Sequence, residues 1–139
     1  MTPGERSVRR RIRTDPRARD RALRGRTYAI AFDAVWQAAV ALADRGLPRW
    51  RLLMADDQRG VLEAEATWAL FRSVGKVQVV IGLDANGQTR VDVEATSANP
   101  LDLGTGRRRV RRFLLALDQK VGATPTHILD ASREPSFTT

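Results

Sequence analysis

The chain has 139 residues, 42% of them hydrophobic, no cysteine and a single histidine, His127. That is room for one domain with a real core and too little for two. It excludes disulfides, thiol chemistry and thiolate metal sites, and it leaves a zinc or haem centre without ligands. The formal charge of +8 comes from 22 arginines and two lysines, Lys76 and Lys120, against 16 acids.

The charge is unevenly placed. Residues 1–26 hold ten arginines against Glu5, Asp15 and Asp20, a net of +7, whereas residues 27–139 carry a net of +1. The expected organisation is a basic arm over 1–25, a near-neutral domain over 26–121 and an extended tail over 122–139. Such an arm is either a solvated tail or an electrostatic tether to phosphates, anionic lipid or an acidic protein surface. It has no continuous apolar stretch of the kind a secretory signal needs, although its arginine-rich, acid-poor composition is compatible with an organelle leader. The longest apolar runs, Val77 to Leu83 and Phe113 to Leu117, fall short of the roughly 20 residues of a spanning helix, so no transmembrane segment is expected.

Within the arm, Val8 and Ile12 punctuate Arg9, Arg10, Arg11 and Arg13, a candidate contact strip. The stretch from Asp15-Pro16 to Gly25 reads as a short helix over 16–24: Asp15 can cap it, Pro16 suits its first position and Gly25 its left-handed exit. Its apolar side, Ala18, Ala22 and Leu23, is thin, so it should order only against something. It carries Arg17, Arg21 and Arg24.

The domain opens with Arg26 to Phe32, where Tyr28, Ile30 and Phe32 alternate as on a half-buried strand. Asp33 then reads as the cap of a helix running to Arg45 and stopping at Gly46, with Val35, Ala38, Ala39 and Leu42 inward and Trp36 assigned to the core. Four strands follow as a meander. Trp50, Leu52 and Met54 alternate on the first, and Asp56 to Gly60 makes a turn. Leu62, Ala64 and Ala66 alternate with Glu63, Glu65 and Thr67 on the second. A looser connection, Trp68 to Gly75, leads to Val77, Val79, Ile81 and Leu83. Asn86-Gly87 reads as a tight hairpin turn with both residues at positive φ, and Val91, Val93 and Ala95 return inward. Between Asp102 and Val121, the spacing of Val110, Phe113, Leu114, Leu117 and Val121 predicts a long helix with one apolar stripe. Beyond it the tail offers only His127-Ile128-Leu129 as an apolar peg.

Strand, helix, four strands, helix is an α+β order. Two helices on one face of a single antiparallel sheet would give a helix-grip or TATA-binding-protein-like arrangement. The other sheet face would carry Arg51, Glu63, Glu65, Thr67, Lys76, Gln78, Arg90, Asp92 and Glu94, a mixed-charge, solvated surface without the aromatic platforms of single-strand nucleic-acid binders.

No residue set specifies a reaction. The carboxylate pairs Asp56/Asp57 and Glu63/Glu65 lie in a turn and on an open strand face, whereas acid–base catalysis needs a shaped, partly dry site. No catalytic residue, cofactor or metal is therefore assigned, and the chain reads as a non-enzyme. Gly104-Thr105-Gly106 precedes a basic helix, but without a parallel strand before it or a Gly-Lys-Ser/Thr ending it is not a nucleotide loop. Arg107, Arg108 and Arg109 stand at the positive end of the helix dipole, at a cost of a few tenths of a kcal/mol for each exposed charge, about what such placements are worth. Arg109 is expected to fold back on Asp102 or Asp92, which leaves Arg108, Arg111 and Arg112 for an external anion.

Thr89 to Phe113 carries further text. Thr-Arg-Val-Asp-Val-Glu, then Asp102-Leu103-Gly104, then Arg109-Val110 and Phe113 resemble the bacterial and plastid family called domain of unknown function 1499. The resemblance extends back through Phe71 and Gly60 to Thr67, covering roughly residues 27–121. It implies a small soluble or membrane-peripheral domain with no established enzyme activity. The chain departs from the family at Ser97-Ala98-Asn99-Pro100, one residue shorter; at Ser73 and Val74, where the family tends to an acidic pair; and at Gly106, where it often has Asn.

Together these readings lead to the expectation of an accessory or scaffold subunit. It would bind protein subunits of a larger, membrane-bound complex, photosynthetic or otherwise energy-transducing, at a cytoplasmic or stromal membrane surface where anionic lipid headgroups reward each arginine by about 1 kcal/mol. Arg9, Arg10, Arg11, Arg13, Arg17, Arg21, Arg24, Arg108, Arg111 and Arg112 are the candidate partner-binding residues. A nucleic-acid-binding, ribosome-like protein with the arm on phosphates is the alternative. A small-ligand domain using the open sheet face, or a pocket at Trp68, Leu70 and Phe71, is the third.

Overall fold

The computed structural model describes residues 10–68, 73–97, 104–123 and 127–129. The elements are β1 (Arg10–Arg13), a 3-10 turn (Arg21–Leu23), β2 (Arg26–Tyr28), α1 (Phe32–Ala41) with a π-helical turn (Leu42–Gly46), β3 (Trp50–Asp56), β4 (Val61–Trp68), β5 (Ser73–Leu83), β6 (Thr89–Ser97), α2 (Thr105–Lys120) and β7 (Ile128–Leu129). One antiparallel sheet runs in the order β3-β4-β5-β6-β2-β7, with β1 also paired to β6. The chain is α+β, with two α-helices and a seven-stranded sheet.

The meander follows the alternation. On β4, Leu62, Ala64 and Ala66 are buried while Thr67 is exposed, and across the ladder they meet Val79, Val77 and Gly75. The apolar stripe of α2 closes over this row: Val110, Phe113, Leu114 and Leu117 are fully buried, and Trp50 stacks on Phe113 with ring centroids 5.5 Å apart. Burying a side chain of this size contributes about 1.5–3 kcal/mol, so the stripe fixes α2 on the sheet.

Several local expectations are corrected. Ala31, not Asp33, occupies the N-cap of α1, with no side-chain cap bond. The first domain strand stops at Tyr28, and Phe32 begins the helix and stacks on a partly buried Trp36 at 6.0 Å. At the far end of α1 the left-handed residue is Arg45 (φ 68°), while Gly46 presses on the Ala41 carbonyl where a Cβ would collide. Met54 does not face the core: a bulge at Leu53 shifts the register, setting Met54 opposite Glu63, and both Leu53 and Met54 are exposed. In the β5–β6 hairpin only Gly87 takes positive φ (75°), because Asp84 N donates to Gln88 O and encloses three residues rather than two.

The largest correction concerns the arm. Arg10 to Arg13 pair with Ser97 to Glu94, and Arg26 to Tyr28 pair with Val91 to Thr89, so β1 and β2 lie along the same side of β6. Together they form one strand line interrupted by an excursion over residues 15–25. The helix expected over 16–24 does not form, and a single 3-10 turn is present. Asp15 N donates to Leu23 O at 2.8 Å, whereas helical residues eight apart would be separated by about 12 Å. Closing the neck of the excursion therefore forbids the helix. From Arg10 onward the arm pairs into the sheet. The tail peg is likewise drawn in, as Ile128 and Leu129 pair with Tyr28 and Thr27 at the sheet edge.

Arg9, the side chain of Arg10, Leu70, Phe71, residues 98–103 including Asp102, and the tail beyond Leu129 lie outside the described residues.

Candidate anion-binding site

The arginines divide by what they meet. Arg11 pairs with Glu94 at 2.7 Å, and Arg24 Nε donates to Ala18 O at 2.6 Å inside the excursion, so both serve the arm's own attachment. Arg13, Arg17 and Arg21 are exposed along the arm. Arg107 reaches Asp20 at 4.0 Å, which links the excursion to the first turns of α2.

At the neck every cation is satisfied. Arg90 donates to Asp92 at 2.7 Å, to Thr27 Oγ1 at 3.2 Å and to the Arg24 carbonyl at 2.5 Å. Thr14 Oγ1 donates to the same Asp92 carboxylate at 2.9 Å and accepts from Val93 N at 3.0 Å. Arg26 Nε pairs with Asp118 at 3.0 Å, and the buried Tyr28 hydroxyl donates to the same carboxylate. Burial, followed by that hydrogen bond, pushes the Tyr28 phenol far above its ordinary value of 10.0. The cluster ties β2 to α2.

The outward arc of α2 is different. Arg108, Arg111 and Arg112 are exposed and, among the described residues, have no ion pair. They line a groove of about 490 Å³ with Leu47, Leu115, Ala116 and Gln119. Leu115 stands in it 49% exposed. At positions i−7, i−4 and i−3 from Leu115, the three guanidinium groups surround an apolar spot.

Beside this groove a second pocket, of about 380 Å³, lies where α2 crosses the small-residue end of the sheet; it is lined by Pro48, Arg49, Trp50, Ala66, Thr67, Arg108, Arg109 and Arg112. Ala66 and Gly75 pair across β4 and β5, and Gly75 leaves the space that the Arg109 guanidinium occupies: a Cβ there would collide with it. Arg109 is only 8% exposed. The Asp92 carboxylate accepts from Arg90 and from Thr14.

Sequence spacing does not single out Arg49. It occupies the third position of the turn Leu47-Pro48-Arg49-Trp50, closed by Trp50 N donating to Leu47 O at 3.2 Å, with φ of 67°. Proline at the second position with positive φ at the third defines a type II turn, whose third position favours glycine or asparagine. The sole advance signal is the Pro-Arg pair itself, in which an arginine stands where backbone chemistry asks for glycine.

Among the described residues no helix is long and apolar enough to cross a membrane, and no group of three or more His, Cys, Asp or Glu is placed to hold a metal ion. Comparison with protein-family models and with curated proteins finds no match. The likeness to the domain of unknown function 1499 family therefore rests on the residues quoted for it.

Proposed function

We propose that this chain is a non-enzymatic accessory subunit that docks on an acidic protein surface of a larger assembly through the outer groove of α2. The observation that carries this reading is the exposed Leu115 ringed by Arg108, Arg111 and Arg112, with no acid among the described residues that line the groove. An apolar anchor framed by unpaired arginines suits a partner that offers a hydrophobic side chain within a carboxylate rim. Arginine favours such contacts because its fork binds carboxylates bidentately and is less strongly hydrated than an ammonium. The arm's remaining exposed arginines, Arg13, Arg17 and Arg21, add a basic margin suited to anionic lipid beside the docking surface. On the family likeness, the assembly is a membrane-bound, energy-transducing complex, and the subunit sits on its cytoplasmic or stromal side.

Gentle fractionation of source cells, with parallel nuclease and high-salt treatments, tests this. The native protein should co-sediment with membranes in a large particle, survive nuclease, and be lost from the particle when Arg111→Glu and Leu115→Ser are introduced together. Release by nuclease would replace docking with nucleic-acid binding, and a free monomer in every condition would end both.

A further inference from the structure

We infer that the partner met by the outer groove of α2 is a second copy of this chain, bound through the outward face of its sheet. Alternation on β4, β5 and β6 buries Leu62, Val79 and Val93 on the core side and turns Val61, Val80 and Asp92 the other way. The ladders set these outward residues in rows. Asp56, Val61, Val80 and Asp92 stand side by side in one row, and Met54, Glu63, Gln78 and Glu94 in the next. Val80 is 44% exposed and Met54 37%. An apolar spot therefore lies open on the sheet, with Asp56, Glu63 and Asp92 as its ladder neighbours. Single apolar residues are ordinary on a surface, whereas an apolar patch with a polar rim marks a contact surface.

This spot is the converse of the α2 groove, where exposed Leu115 stands among Arg108, Arg111 and Arg112. Three guanidinium groups around one apolar projection face three carboxylates around another, which is the charge complementarity that selects a partner and sets its register. The spacings agree as well. Rows on one sheet face are separated by two residues of strand, about 7 Å, and successive turns of a helix by about 5.4 Å. With Leu115 over Val80, the turn of Arg111 and Arg112 reaches the row of Glu63 and Glu94. Beyond that row stands a net basic one, with Arg51, Glu65 and Lys76, which bounds the contact. A helix laid on a sheet is also the layering already present inside the domain. The outer arc of α2 and the outward sheet face lie on opposite sides of the core, so the contact is heterologous: each copy offers its helix to one neighbour and its sheet to another. The inference rests on the docking reading of the groove and names its partner.

The test is sedimentation velocity of the full chain from micromolar to millimolar concentration. The mean mass should rise with concentration past that of a dimer. Arg111→Glu on α2 and Glu63→Arg on the sheet should each weaken association about tenfold or more, as expected when an attractive contact becomes a like-charge one. The double variant, with both charges exchanged, should regain it. Val80→Ser, which leaves every charge in place, should also weaken association, while Arg17→Ala, in the excursion, should associate as the parent does. Each variant should melt near the parent temperature, because all these side chains are exposed or half-buried. A single-chain mass at every concentration, a mass that stops at a dimer, full association in Glu63→Arg, or a double variant no better than either single one would overturn the inference. Co-sedimentation separates the two readings. If the parent stays a single chain in solution and the form with Arg111→Glu and Leu115→Ser is lost from the membrane particle, the docking proposal stands and the groove belongs to a different protein. If the parent stacks and that form is still retained in the particle, attachment to the assembly through the groove falls and the pairing of copies stands.

Discussion

At the neck of the excursion, Arg90 spends its guanidinium on Asp92, Thr27 and the Arg24 carbonyl, and Arg26 spends its own on Asp118. Beside α2, Arg108, Arg111 and Arg112 have no ion pair among the described residues, and Arg49 adds a fourth such cation. The residue type is the same in both places, so composition cannot tell them apart. What separates them is the supply of acceptors. Where a carboxylate and carbonyls converge, arginine is a fastener; where none do, it is available to something outside the chain.

The contrast is broken most sharply at Arg90. Its side chain is 15% exposed, and its removal leaves the Asp92 carboxylate with the Thr14 hydroxyl and takes a donor from the Arg24 carbonyl at the neck. Arg90→Ala should lower stability by about 2–3 kcal/mol in denaturant unfolding. It should also open residues 10–25 to trypsin and to amide exchange. If the arm stayed protected, something other than the neck would be holding it.

Tyr28→Phe comes next, with a loss of about 1.5 kcal/mol for a buried hydrogen bond to a charged acceptor. The same residue predicts a pH dependence. Because the folded phenol titrates far above 10.0, the folded chain keeps a proton that the unfolded chain releases near pH 10. The contribution is complete below pH 10 and declines above it by about 1.4 kcal/mol per pH unit. Tyr28 is the only tyrosine, so tyrosinate absorbance should appear together with alkaline unfolding, and Tyr28→Phe should flatten the decline. Ionisation of the tyrosine in a chain that remains folded would show the anchor to be open.

The smallest expected effect on stability lies in the outer groove. Arg111→Ala should change stability by less than about 0.5 kcal/mol, in either direction, because the side chain is exposed and without an ion pair among the described residues. A loss of 2 kcal/mol or more there would place Arg111 with Arg90 as a fastener and sharpen the boundary against it.

The meander and the lid helix were legible because their apolar periods run for many residues: Leu62, Ala64 and Ala66 on one strand, and Val110, Phe113, Leu114 and Leu117 on the helix. β1 and β7, four and two residues long, were not. Strands that short have no measurable period, and their existence depends on partners far away in sequence. The false helix over 16–24 carried sound local signals at Asp15, Pro16 and Gly25; a nonlocal constraint, the closed neck, overrode them. Arg108, Arg111 and Arg112 could be proposed from spacing alone, since they fall opposite the apolar stripe. Arg49 could not, because an arginine in a glycine position hides the turn that places it.

The interrupted strand line has a consequence for the order of events during synthesis. The arm leaves the ribosome before β6, and the Thr14 hydroxyl must wait for Asp92, 78 residues later, before its carboxylate partner exists. Until β6 has emerged, β1 is an unpaired strand bearing several positive charges in a crowded, polyanionic setting. A segment made well before its partner strand is thus among the last to settle, and mistakes in the maturation of this protein should begin there.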